Sequence, residues 1–211
     1  MNNSIKGYLI GGVLLTILVV LAVPIMLSGP EGQGSGVVLR SEEPEPDPVD
    51  DIAPNPAEVP QGVRPSCAGQ GAAGVVLPCL GAENGDTPAD GQPEGTEASV
   101  INVWAWWCEP CREELPIFDE FADAHPEYDV VGVHADAYPA NGVEMLDSLE
   151  VDLPSYQDSD NTFAGTLGLP GVVPITVLAV DGEQVAVFAQ TFQAVEELEQ
   201  KVAEGLLGRG A

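Results

Sequence analysis

The chain has 211 residues, which is enough for one domain and additional segments. Six lysines and arginines stand against 34 aspartates and glutamates, giving a formal net charge of -28 at pH 7. Such a chain repels nucleic-acid phosphates, so the composition excludes nucleic acid as a partner. Residues 98–211 alone contain 21 acidic and three basic side chains, so the acidity is not confined to one tail. It indicates either a surface suited to solubility or an attraction for basic client proteins.

The amino-terminal segment is apolar, with no charged side chain between Lys6 and Ser28. About 20 helical residues rising about 1.5 Å each span the hydrocarbon core of a bilayer. A cleaved signal peptide usually has a shorter apolar region and a small-residue cleavage site, so the sequence predicts an uncleaved transmembrane anchor over residues 1–27. Basic residues alone leave its orientation open. The cysteine pairs downstream favour a cytoplasmic N-terminus and an extracytoplasmic domain, in a single-pass protein of the cell membrane, because disulfides persist outside the cytoplasm.

Residues 28–66 are rich in glycine, proline and acidic side chains. The stretch EEPEPDPVDDIAPNPAEVP (42–60) has no apolar periodicity and too little apolar mass to form a core. We therefore predict a disordered acidic linker over residues 28–66 and a folded domain over residues 67–211.

The folded part begins with regular patterns around residue 99. The apolar run SVINVWAW (99–106) predicts a strand buried on both faces, and residues 109–125 carry apolar side chains at helical spacing. Two β-rich runs flank Asp181-Gly182, a dipeptide typical of a hairpin turn. Further predicted elements are a strand at 128–136 and helices at about 142–149, 161–167 and 194–207. The alternation of strands and helices predicts an α/β fold.

Cys108 and Cys111 lie two residues apart at the junction between the predicted strand and helix. Covalent haem attachment needs a histidine directly after the second cysteine, and Arg112 stands there. A structural zinc site needs four ligands in paired clusters, and the other cysteines and histidines are not spaced in that way. We therefore expect no metal and no cofactor.

A redox dithiol remains the best interpretation of this pair. A helix N-terminus stabilises the Cys108 thiolate through its unpaired N–H groups, and the first turn brings Cys111 within disulfide reach. Cys108 would attack as the nucleophile and Cys111 would resolve the mixed disulfide.

Cys67 and Cys79 form a second pair, ahead of the first long strand. Neither lies at a predicted helix N-terminus that would activate a thiol, so a structural disulfide is favoured over a second redox pair.

The stretch VWAWWCEPCREELP, with VVPIT at 172–176, resembles the membrane-anchored TlpA/ResA-type thiol-disulfide oxidoreductases of the thioredoxin-like family, over about residues 67–211. The resemblance implies a central mixed sheet of four to five strands flanked by helices, with a strand-helix insertion at about 137–168. It also implies a cis peptide bond between Val173 and Pro174, facing the cysteines.

The resemblance extends to individual side chains around the cysteines. Glu114 matches the family's glutamate three residues after the second cysteine, which implies proton transfer to and from the dithiol. The alternative is that Glu114, like Glu109 and Glu113, complements the helix dipole. Trp107 matches a residue that shields the disulfide, whereas Trp106 departs from the small or hydroxyl residue common at its position.

The resemblance implies an extracytoplasmic enzyme acting on disulfide-bearing client proteins. Acidic side chains near the cysteines oppose the thiolate, which favours a reductant. By resemblance, the electron donor would be a CcdA-type membrane protein and the clients would include apocytochrome c. An oxidase or isomerase of secreted proteins and a metal-binding module on the same fold remain as alternatives.

Overall fold

The computed structural model of the chain describes residues 59–208. The predicted anchor (1–27) and most of the predicted linker (28–66) lie outside these residues. Within 59–208, no helix is both long enough and apolar enough to cross a membrane.

The described chain contains nine strands and four helices, in two sets. Four short strands come first: β1 (Cys67–Gly69), β2 (Gly71–Ala72), β3 (Val75–Val76) and β4 (Asn84–Thr87). The others are β5 (Ala98–Trp104), α1 (Glu109–Ala124), β6 (Tyr128–Ala135), α2 (Pro139–Ser148), β7 (Ser155–Asp158), α3 (Thr162–Leu167), β8 (Ile175–Val180), β9 (Glu183–Phe188) and α4 (Val195–Gly208).

Strands β5 to β9 form one mixed sheet in the order β7-β6-β5-β8-β9. Strand β5 pairs in parallel with β6 and antiparallel with β8, and β6 pairs in parallel with β7. All seven residues of β5 are buried, as expected for a central strand covered on both faces. The sheet confirms the predicted α/β class.

One face of the sheet is covered by α1, α2 and α4. Alternate residues of each strand point to this face, so Val100 and Trp104 of β5 pack in one apolar cluster with Phe118 of α1, Met145 of α2 and Leu198 of α4. Cys108 and Cys111 belong to this cluster.

The opposite face is covered by the N-terminal strands and α3. Ile101 and Val103 of β5 pack there with Val75, Tyr156 and Phe163. The segment 67–90, which carries β1 to β4 and no helix, forms much of this cover. It is held by short pairings, including a bridge between Cys79 and Tyr156 of the edge strand β7.

The hairpin predicted at Asp181-Gly182 is present, with β8 and β9 antiparallel. Asp181 and Gly182 have φ angles of 51° and 75°, the left-handed values that a two-residue hairpin turn requires.

Two boundaries differ from the sequence prediction. Helix α2 begins at Pro139 rather than near residue 142, because proline is tolerated in a first turn. The packed part of the chain also begins before Cys67. The side chain of Arg64 is 6% exposed and its Nη1 lies 2.8 Å from Oδ1 of Asp147.

Candidate active site

The two central cysteines lie where β5 gives way to α1. Cys108 is the N-cap residue of α1, with extended backbone angles, and Pro110 occupies the first turn. Cys108 and Cys111 are joined by a disulfide with their Cα atoms 5.3 Å apart. The backbone N–H of Cys111 donates to Sγ of Cys108 over 3.2 Å. The helix N-terminus therefore directs a donor at the sulfur that would carry the negative charge of a thiolate.

The peptide bond between Val173 and Pro174 is cis. These residues lead directly into β8, whose Ile175 pairs with Val103 of β5. The loop before β8 therefore lies beside the end of β5, from which the cysteine loop starts. Trp107 and Val172 line a cavity of about 170 Å³ between the two loops.

Glu114 lies one helical turn after Cys111 and is fully buried. Its Oε1 accepts the backbone N–H of Phe192 over 2.8 Å, and its Oε2 accepts Nδ2 of Asn102 over 2.8 Å. Burial raises the pKa of Glu114 to about 7, because desolvation outweighs the two hydrogen bonds that favour the charged form. The contacts place Glu114 in the interior and not among the solvent-facing acids of the helix N-terminus.

Two further polar side chains lie in the buried layer around Glu114. Asn102 of β5 is opposite Thr176 of β8 in the sheet register, and both are fully buried. Oδ1 of Asn102 and Oγ1 of Thr176 have no hydrogen-bond partner among the described protein atoms. The Glu114 carboxyl group therefore lies in a buried layer that contains two other polar side chains, Asn102 and Thr176.

The three tryptophans near the disulfide differ in exposure. Trp104 is fully buried, whereas Trp107 is 59% and Trp106 36% exposed. Nε1 of Trp106 donates to Oδ1 of Asp136 over 3.0 Å, and Nε1 of Trp107 donates to Oδ2 of the same carboxylate over 2.9 Å.

The second cysteine pair is separate from this site. Cys67 and Cys79 form a disulfide with a Cα–Cα distance of 5.8 Å, and both are buried. They pack in the cluster on the opposite face of the sheet from Cys108 and Cys111. The structure therefore does not bring the two pairs together.

Within residues 59–208, no three histidine, cysteine, aspartate or glutamate side chains come together in a way that could hold a metal ion. His134 is instead buried against Trp104, with a ring-centroid distance of 4.6 Å, and its Nδ1 lies 2.8 Å from Oε1 of Gln157. Burial lowers the pKa of His134.

Comparison with known proteins gives partial matches. No protein-family model matches the chain. It is 44% identical over 34 residues to sporulation thiol-disulfide oxidoreductase A of Bacillus subtilis, covering 16% of this chain and 21% of that protein. It is 25% identical over 105 residues to the thiol-disulfide oxidoreductase ResA of Oceanobacillus iheyensis, covering 47% of this chain and 53% of that protein. The chain thus spans about half or less of the length of these curated relatives.

A solved structure shows the same fold. It is that of a secreted Mycobacterium tuberculosis disulfide oxidoreductase homologous to E. coli DsbE, with a TM-score of 0.51 and 19% identity over 63% of this chain and 96% of that chain. The chain has a thioredoxin-like fold, and parts of its sequence are similar to thiol-disulfide oxidoreductases.

In this thioredoxin-like protein, sequence reasoning missed two residues that contact the site. Asn102 could have been noticed as a polar residue in an otherwise apolar strand. Asp136 gave no local signal, because its approach to Trp106 and Trp107 depends on the parallel pairing of β5 with β6. Trp104 lies opposite His134 in that register, so the residues that follow the two strands emerge side by side.

Proposed function

We propose that this thioredoxin-like protein is a thiol-disulfide oxidoreductase that reduces disulfides in client proteins. The observation that carries the proposal is the Cys108–Cys111 disulfide at the N-terminus of α1, one turn before a buried carboxyl group with a pKa of about 7. The relatives named as thiol-disulfide oxidoreductases support it.

The reaction consists of two exchanges. In the reduced protein, the Cys108 thiolate attacks one sulfur of the client disulfide, forming a mixed disulfide and releasing the other client sulfur as a thiolate. The Cys111 thiolate then attacks Sγ of Cys108, which forms the Cys108–Cys111 disulfide and releases the second client thiolate. Two electrons pass to the client, the two client thiolates take up protons, and a dithiol donor must then reduce the protein again.

Glu114 serves the second exchange as a proton acceptor. Cys111 must lose its proton before it can attack, and it is buried away from solvent. Residues three apart on a helix share a face, so Glu114 lies on the same side of α1 as Cys111. A carboxyl group with a pKa of about 7 can both take and return a proton near neutral pH.

The charges around the disulfide favour a reductant. Glu109 is exposed in the first turn of α1 and Glu113 is exposed just after that turn, and between them only Arg112 carries a positive charge. Negative charge disfavours the thiolate form, and a dithiol that is poorly stabilised in its reduced form is a stronger reductant. The helix N-terminus at Cys108 acts in the opposite sense, because its N–H groups stabilise a thiolate.

We further propose that the protein acts outside the cytoplasm, held by a transmembrane anchor at residues 1–27 and an acidic linker. The apolar N-terminal sequence and the Cys67–Cys79 disulfide, of a kind that persists in oxidising compartments, support this location. By resemblance to the TlpA/ResA type, a CcdA-type membrane protein would supply electrons and apocytochrome c would be a client. The acidic character of the chain suits a basic client.

The deciding experiment is an equilibration of the full chain with glutathione or dithiothreitol buffers, followed by tryptophan fluorescence and by thiol counts at both endpoints. We expect a two-electron transition near or below about -250 mV, as in thioredoxin-like reductases. A midpoint above about -180 mV would instead indicate a disulfide oxidase or isomerase. Insulin reduction should be lost in Cys108→Ser.

A separate experiment tests the client. A strain lacking this protein should make less holo-cytochrome c than its parent, and complementation by the wild-type chain but not by Cys108→Ser should restore the yield. An unchanged yield would remove apocytochrome c from the proposal without affecting the exchange chemistry.

A further inference from the structure

A groove of about 480 Å³ runs between the cysteine loop and α2. Trp106, two residues before Cys108, and Arg112, directly after Cys111, form one wall. The other wall is one face of α2, whose lining residues recur at helical spacing: Asn141, Glu144, Met145 and Ser148. Val173 lines a separate cavity. The α2 groove therefore flanks the disulfide without including the cis peptide bond.

Arg112 is the one cation of the described residues that is not paired with a carboxylate. Residues 59–208 contain two other basic side chains, Arg64 and Lys201, and both form ion pairs, at 2.8 and 2.6 Å. Nη1 of Arg112 instead donates to Oγ of Ser148 over 3.4 Å, which is long for a hydrogen bond. A guanidinium has five N–H donors, so Arg112 keeps several of them available to a ligand.

An acidic side chain lines the same groove. Glu144 is exposed, and its carboxylate forms no ion pair within the described part of the chain. The α2 groove thus offers an unpaired positive group and an unpaired negative group to one ligand.

These charges indicate the kind of ligand. A simple anion is disfavoured, because Glu144 and the net charge of -28 repel it. A simple cation would find acidic side chains over much of the protein and would not need Arg112. A zwitterion satisfies both groups, with its carboxylate at Arg112 and its ammonium group at Glu144.

We propose that the α2 groove binds the α-amino-acid group of a small zwitterionic disulfide, cystine, and that the protein reduces cystine as well as client proteins. The inference rests on the proposed function and adds a substrate class. In cystine only the Cα and Cβ atoms separate the sulfur from the charged groups. A group held between Arg112 and Glu144 therefore keeps its sulfur close to the cysteine loop, and the ring of Trp106 provides an apolar wall for the Cβ methylene.

The exchange balances as it does for a protein client. The Cys108 thiolate attacks one cystine sulfur, forms a mixed disulfide and releases one cysteine thiolate. The Cys111 thiolate then attacks Sγ of Cys108, which closes the Cys108–Cys111 disulfide and releases the second cysteine thiolate. Two electrons pass to cystine, the two cysteine thiolates take up protons, and a dithiol donor reduces the protein again.

The test compares cystine with bis(2-hydroxyethyl) disulfide. Both molecules have no net charge near neutral pH, so the overall field of the protein does not favour either. Each is mixed with the pre-reduced full-length chain, which requires no electron donor. The second-order rate constant is divided by that of the same disulfide with dithiothreitol, which removes differences between the leaving groups. We expect this normalised rate to be about tenfold higher for cystine, because two exposed charge-assisted contacts hold it.

Variants of the groove should lower this preference. Arg112→Gln and Glu144→Gln should each reduce it about threefold, since each removes one of the two contacts. Arg112→Lys should be intermediate, because it keeps the charge and loses the planar fork. The uncharged disulfide is the internal reference for any change in the reactivity of Cys108. The matched controls are Lys201→Gln and Glu113→Gln, which remove one charge of each sign outside the groove and should keep the wild-type preference.

The outcomes separate this inference from the proposed function. Equal normalised rates for the two disulfides would overturn the cystine site, and so would a wild-type preference in both Arg112→Gln and Glu144→Gln or an equal loss in the controls. If Arg112→Gln does not fold, Arg112→Lys decides by the same ratio. A protein that reduces insulin but neither small disulfide would also overturn the site and leave the proposed function standing. A reduced protein that reacts with none of the three would overturn both.

Discussion

Nδ2 of Asn102 donates to Oε2 of Glu114 over 2.8 Å, which links the central strand to the helix that carries both cysteines. Both side chains are fully buried. The hydrogen bond orients the carboxyl group, while the loss of solvent makes its charged form costly.

Glu114 should make the protein less stable as the pH rises. Its pKa is about 7 in the folded protein against 4.5 for an ordinary glutamate, so folding favours its protonated form. The resulting stability is fully present below about pH 4.5 and is lost as the pH rises through about 7, with an upper limit of about 3 kcal/mol. Urea unfolding of the oxidised protein at several pH values would show this loss, and Glu114→Gln should abolish that part of the slope.

The control for Glu114 is Glu113→Gln, because Glu113 is exposed one residue earlier on the same helix. Its unfolding free energy should follow the wild-type pH dependence. A Glu114→Gln protein that retained the full wild-type slope would show that another group is responsible.

The pKa values of the two histidines should lie on opposite sides of the ordinary histidine pKa. His125 lies between Glu127 and Glu199, 2.9 Å from each, and these carboxylates raise its pKa. Burial lowers the pKa of His134. A proton NMR titration should therefore resolve one ring above and one below about 6.5, assigned by the loss of one signal in His125→Gln.

The His125 contacts should also stabilise the junction of α1 and α4 in a pH-dependent way. A raised folded pKa means that the stability is present below about pH 6.5 and is lost as the pH rises through the folded pKa. His125→Gln should therefore unfold at lower urea than wild type at pH 6 and at similar urea at pH 9. Equal destabilisation at both pH values would point to packing against Phe121 instead.

Removal of the Cys67–Cys79 disulfide should weaken the fold and leave exchange at Cys108 intact. The two cysteines are 12 residues apart, and closing a loop of about that length stabilises a protein by about 3 kcal/mol in the chain-entropy account. The double variant Cys67→Ala/Cys79→Ala tests this by chemical denaturation and by insulin reduction below its transition. Wild-type stability with lost exchange would identify a second redox pair.

Arg64 should anchor the chain to the domain ahead of the first strand. Its side chain is 6% exposed, and its Nη2 donates to the backbone oxygen of Val151 over 2.5 Å. Arg64→Met should lower the free energy of unfolding by about 2 kcal/mol, since a buried carbonyl loses a charged donor. Asp147→Asn should have a much smaller effect because that side chain is 57% exposed. Equal effects would assign the stability to the ion pair.

The sequence predicted those parts of the site that depend on local pattern. The apolar run around Val103 indicated a buried strand, Pro110 indicated a first helical turn, and together they located Cys108 at a helix N-terminus. The cis bond before Pro174 came from family resemblance and is present. No short-range signal of the chain would have indicated it.

Other parts depend on contacts between distant segments. Strand β7 reads SYQD, which has no apolar alternation, yet all four residues are buried because the N-terminal segment covers them. Asn102 interrupts an apolar run, and the structure explains this polar residue by its hydrogen bond to Glu114. The approach of Asp136 to both indoles follows from the register of β5 against β6, which cannot be read from the sequence alone. Such features require the fold before they can be predicted.

The segment 67–90 covers one face of the sheet without a helix, and the Cys67–Cys79 disulfide cross-links its first half. Under the proposed function, one disulfide of the molecule must be formed and kept, while the other must be reduced in every cycle. An oxidant must close this cover, while a donor of electrons must keep opening the bond at Cys108. The two disulfides are buried on opposite faces of the sheet. A donor can therefore reduce Cys108–Cys111 in every cycle while the Cys67–Cys79 disulfide stays oxidised.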